Sequence, residues 1–142
     1  MENAVVREET SDGGVRLFDP VCTFTFRRLR PGSLLVTIVG NDTGQFGTRT
    51  LDEIRLELMR YRPLELFVDA REALGAAVSV SDEWTRFFAL NREHLKRVSV
   101  LVGSKVVYLT VAIAQHLSRT GNLIQIYSDP EMFEDRLSKG TA

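Results

Sequence analysis

The chain has 142 residues, 44% of them hydrophobic and 26% charged, a balance that supplies one buried core and excludes a disordered chain. Its 18 basic and 19 acidic residues leave a formal charge of -1, so no basic surplus points to nucleic acid or to an anionic membrane. Cys22 is the only cysteine, which rules out an intrachain disulfide and a cysteine metal cluster; its place in an alternating apolar run predicts a buried, inert thiol.

Residues 1–16 read as a flexible polar leader, since Glu8, Glu9, Thr10, Ser11, Asp12, Gly13 and Gly14 have little to bury. The leader holds no apolar segment of the kind a secretory signal needs. The longest strongly apolar run, Val106 to Ala114, is too short to cross a bilayer. The expectation is a soluble, cytoplasmic protein without a membrane span, with residues 17–142 as one domain.

Val21 to Arg28 alternates in polarity, and Leu34 to Val39 (LLVTIV) is rich in β-branched residues. The Pro31-Gly32 turn between them predicts a hairpin. Gly40 to Arg49 is a glycine-bearing loop, and Thr50 with Glu53 has capping-box spacing for a helix carrying Leu51, Ile54, Leu58 and Tyr61. Leu64 to Gly75 (LELFVDAREALG) then opens as an apolar run, broken by Glu65, and turns charged at Asp69. A buried central strand leaving the carboxyl edge of a sheet has this character. Ala73 to Val80 reads as a small-residue loop, with Ser81 as N-cap of a second helix running to about Lys96. Val98 to Val102 is a buried strand. The helix from Val106 to Arg119 follows, stopped at Gly121, and then a short strand from Leu123 to Tyr127. Asp129-Pro130-Glu131 opens a last helix that Phe133 and Leu137 should pack down. The order is β-β-α-β-α-β-α-β-α, and its alternation implies parallel pairing with right-handed crossovers.

This order resembles the STAS domains, and more closely the SpoIIAA-like (anti-sigma-factor antagonist-like) proteins. The resemblance rests on the turn-linked first strands, FVDAR at 67–71, the helix with Trp84, VSVLVGS at 98–104, and the Asp129-Pro130-Glu131-Met132-Phe133 helix start. It implies an α/β fold: a single-layer mixed, mostly parallel sheet of four to five strands with helices mainly on one side. It also implies one of two activities: a non-enzymatic regulatory module that binds a protein partner, or a carrier of small apolar, lipid-like ligands. The family's phosphorylated serine does not carry over cleanly, because Ala70 and Arg71 follow Asp69 where a serine is expected. Ser79 and Ser81 are the hydroxyls nearest that place.

The partner-binding candidates are therefore Asp69, Arg71, Ser79 and Ser81, set against a structural reading in which Asp69 and Arg71 only satisfy each other. Trp84, Phe88 and Asn91 are the candidate pocket for an apolar ligand. Asn91 stands on an apolar stripe, so it bonds a backbone group or offers a polar handle. Ser104 and Lys105, at a helix start after a buried strand, are a weak anion site. Gly40, Gly44 and Gly47 match neither a Walker loop nor a dinucleotide fingerprint. His94 and His116 lack a clustered carboxylate and no nucleophile elbow is present, so no metal, cofactor or catalytic residue is expected. Val106 to Ala114 is apolar around too much of its circumference to face one sheet, which predicts a homodimer contact there.

Overall fold

Among the described residues, seven strands lie in one sheet in strictly sequential order. The structure, a computed structural model, describes residues 4–139. The strands are β1 (Val6–Glu9), β2 (Val15–Phe18), β3 (Cys22–Arg30), β4 (Ser33–Asp42), β5 (Leu64–Ala76), β6 (Leu95–Val102) and β7 (Ile124–Tyr127). The helices are α1 (Arg49–Arg60), α2 (Val78–Leu90), α3 (Lys105–Ser118) and α4 (Pro130–Lys139). From β1 to β4 neighbouring strands are antiparallel; from β4 to β7 they are parallel.

The expected sheet of four to five strands is therefore larger by an N-terminal hairpin. Within the expected flexible leader, β1 and β2 pair with each other, and β2 pairs with β3. Thr10 to Gly14 forms the turn, in which Thr10 N–H donates to Gly14 O at 2.9 Å. Polar side chains do not prevent this pairing, because an edge ribbon buries few of them: all four residues of β1 are exposed, and only Leu17 of β2 is buried. Residues 1–3 of that leader lie outside the described residues.

A monotonic order of parallel strands joined by right-handed crossovers puts every crossover helix on one face. Leu51, Ile54 and Leu58 of α1, Phe87 and Phe88 of α2, and Val107 of α3 accordingly share one core with Leu64, Leu66, Val68 and Ala70 of β5. The alternate residue, Phe67, points the other way, and α4 covers it there: Phe133 packs with Phe67 and Leu101. Thus three helices lie on one face and one on the other.

Element ends differ from the sequence reading in several places, among them the end of β4, which runs on through Asp42 into the expected glycine-bearing loop. The α1 N-cap is Thr48, two residues before the expected capping box; Thr50 is buried in the first turn. Strand β5 continues through the expected loop to Ala76, and α2 begins at Val78 with Ala77 as N-cap, so neither Ser79 nor Ser81 caps it. Helix α2 ends at Leu90, short of the expected Lys96, and Leu95 is already the first residue of β6. The α3 C-cap is Arg119, in a left-handed conformation (φ 54°), ahead of the expected stop at Gly121.

Candidate functional site

The feature that builds a pocket is the length of β5. Strand β6 accompanies it only as far as the pair Ala70–Val102, while β4 stays paired to Asp42–Ala76. The last six residues of β5 form a two-stranded overhang with the end of β4, and α2 folds back over it. Ala77 N–H donates to Asp42 O at 2.8 Å, which ties the start of α2 to this ribbon. The overhang is rich in small side chains. Ala73, Gly75 and Ala76, with Ala70 behind them, leave unfilled the space that larger residues fill elsewhere under these helices.

A cavity of about 110 Å³ results, between α2, α3 and the carboxyl ends of β4, β5 and β6. Its walls are almost wholly apolar: Val68 and Ala70 from β5, Val100 from β6, Trp84 and Phe88 from α2, and Val111 and Ala114 from α3 are among them. Phe24 of β3 forms part of the floor, stacked on Trp84 at 6.5 Å between ring centroids. Thr110, Ser81 and Asp42 are the polar residues in the lining. Asp42 is only 4% exposed. Its Oδ1 accepts from Gly44 N–H at 3.0 Å, and no hydrogen bond to its second oxygen is found among the described residues. Burial pushes its carboxyl above the usual range, and the charges of Glu83 and Asp19 push the same way.

Trp84 and Phe88 thus line the pocket the sequence assigned to them. Asn91 does not: it is the C-cap of α2, and its Nδ2 donates to Phe87 O at 2.9 Å, which is the backbone-satisfying role. Sequence reasoning missed Asp42 and the whole α3 wall. The signal for the cavity was the alanine and glycine tract at 73–77, which reads locally as a loop.

Asp69 and Arg71 meet as their spacing suggested. Arg71 Nη2 donates to Asp69 Oδ2 and to Glu134 Oε1, both at 3.0 Å, and Arg71 Nε also reaches Asp69. Two carboxylates hold the guanidinium further above its usual pKa, Asp69 foremost, and leave no unmatched cation. The pair straps the exit of β5 to α4. Ser79 is exposed in the first turn of α2, and Ser81 O accepts from the Thr85 hydroxyl. Ser104 caps α3, its hydroxyl accepting from Val107 N–H at 3.2 Å, with Lys105 exposed beside it. His94 lies in a single 3-10 turn and His116 in the last turn of α3. Burial pushes the Cys22 thiol up to about 12, so it is protonated and unreactive at neutral pH.

The sequence matches no protein-family model and no curated protein. Among solved structures it is similar to a protein of the DUF3478 family with a SpoIIAA-like fold from Shewanella loihica PV-4. The identity is 15% and the TM-score 0.52, over 95% of this chain and 93% of that one. The chain has a SpoIIAA-like fold, and that likeness speaks to the fold alone.

Proposed function

We propose that this chain is a non-catalytic STAS-like module that carries or senses a small apolar ligand in the pocket between α2, α3 and the sheet. The observation that carries the reading is the cavity of about 110 Å³ with an almost unbroken apolar wall. Well-packed interiors keep few voids larger than a water molecule, so a space of this size at a sheet edge asks for an occupant. Apolar contact would hold the ligand, and binding would feed into the orientation of α2 and α3, which share its walls. The protonated Cys22 and the separate placement of His94 and His116 support a reading without catalysis.

Native mass spectrometry of the freshly purified protein should find a small apolar molecule bound. Hexanol should bind the emptied protein in ligand-observed NMR. Val111→Phe or Ala114→Leu, each filling the cavity from α3, should abolish that binding while circular dichroism shows a folded chain. Hexanol binding that survives both fillings would sink the reading.

A second reading, an interaction module, is favoured by a separate observation on α3. Val106, Leu109, Ile113 and Leu117 are 57–62% exposed and fall on one face of the helix, turned about 115° from the buried Val107, Ala114 and Ser118. A second copy of the chain meeting this stripe would make the homodimer, and a regulatory protein partner could use the same surface.

A further inference from the structure

The cavity offers a ligand no buried polar partner. Thr110 Oγ1 donates to Val106 O at 3.0 Å, inside its own helix, and Asp42 Oδ1 accepts from Gly44 N–H. Among the described residues, the buried side-chain polar atoms without a hydrogen-bond partner belong to Glu65, Ser99 and Arg136. Glu65 and Ser99 alternate along their strands with Leu66, Val98 and Val100 of the core under α1 to α3, so they point to the α4 face, away from the cavity. A polar group carried into the cavity would lose its water and gain nothing, at a cost of at least about tenfold in affinity.

The cavity is also too small to hold a ligand firmly by itself. An engineered protein cavity of about 150 Å³ takes up benzene, so a cavity of about 110 Å³, open to solvent, holds a few carbons. A few methylenes at about fourfold each, set against the cost of association, give no better than millimolar affinity. More apolar surface adjoins the cavity. Thr110 lines it from the flank of α3 turned toward α2, whereas Gln115, bonded to Ile124 O of β7 at 2.7 Å, marks the other flank. On the Thr110 flank, Val106, Ile113 and Leu109 follow at about 40°, 60° and 100° further round the helix, and all three are exposed.

We infer that the ligand is a single straight alkyl chain that enters methyl end first. Its last carbons lie between Trp84, Phe88, Val100 and Val111, its body runs along Val106, Leu109 and Ile113, and its head group stays in water. This rests on the reading of the pocket as a ligand site and goes further by naming the alkyl chain, its direction and its indifference to the head group. A second copy of the protein seated on the same stripe would be a competing occupant.

The test titrates the full-length protein with hexanol, decanol, decanoate, decylamine and a decanediol with a hydroxyl at each end, by ligand-observed NMR below micelle concentrations. Decanol should bind about tenfold more tightly than hexanol, because each added methylene is covered on one side only and gains less than the full transfer. Decanoate and decylamine should match decanol within about threefold, the scale of a helix dipole acting on an exposed charge. The decanediol should bind at least about tenfold more weakly than decanol, since one hydroxyl must enter the cavity. With Leu109→Ser and Ile113→Ser combined, decanol should fall to the level of hexanol, while hexanol, seated in the cavity, stays within about twofold of its parent value. Decanediol as tight as decanol, a head-group preference beyond about tenfold, or a chain-length gain that survives both serines would overturn the inference. So would decanol no tighter than hexanol; with a dimer in light scattering, that result would give the stripe to a second copy and leave the pocket reading standing. Failure of hexanol and decanol alike to bind would remove both.

Discussion

At the scale of single residues, Arg71 and Gly103 show how the exit of β5 is held. The Arg71 side chain bridges Asp69 and Glu134, while its backbone bulges, the β4–β5 register shifting between Thr37–Asp69 and Val39–Glu72. Gly103 leaves β6 directly against that bulge: a Cβ there would lie 2.2 Å from Arg71 O. Gly103→Ala should therefore destabilise the fold by about 3 kcal/mol in urea unfolding, because backbone must move to admit the methyl group. The Asp69–Arg71 pair was legible from spacing alone. Glu134, 63 residues further on, was not, and it is what turns a possible reader of anions into an internal strap.

Asp42 belongs to the same scale. Burial raises its folded pKa above the ordinary 3.8 of an aspartate, so between that value and the raised one the folded state holds more protons than the unfolded state. Stability from this group falls as pH rises across the window, and the full cost is present above the raised pKa. Thermal melts in steps from below 3.8 to neutral pH should show Asp42→Asn gaining on the parent chain as pH rises. A difference that stays constant with pH would contradict a pKa raised by burial there.

At the scale of elements, α3 was legible as too apolar for one wet face, but its division of labour was not. Composition cannot say which side meets the sheet. The fold turns Val107, Val111 and Ala114 inward and leaves Val106, Leu109, Ile113 and Leu117 as a stripe about 17 Å long. A two-fold contact along that stripe predicts a dimer by light scattering at micromolar concentration. Leu109→Lys should give a monomer with stability changed by no more than about 0.5 kcal/mol, as for an exposed site. A parent chain that is already monomeric would leave the stripe to a different protein partner. Helix α2 teaches the complementary lesson. Serine at position 81 is a good N-cap by type, yet the long β5 carries extended backbone to Ala76 and hands the cap to Ala77. Tertiary pairing with β4 overrode local preference there.

At the scale of the whole molecule, the pocket depends on two strands outrunning a third. With an occupant at a hundred times its dissociation constant, linkage adds about 2.7 kcal/mol to stability, so a hexanol titration should also raise the melting temperature by several degrees. The sequence by itself determined the alternation of strands and helices after Leu64, the Pro31-Gly32 hairpin, the buried character of Cys22 and the apolar excess of α3, because these follow from local periodicity and turn chemistry. Only the tertiary structure decided that β1 and β2 join the sheet, that β5 extends through an alanine and glycine tract, and that Asp42 ends at the edge of an apolar cavity. Those outcomes depend on which strand ends pair and which do not. Pairing joins residues such as Asp42 and Ala76 that stand far apart in the chain, where no local pattern of residues records it.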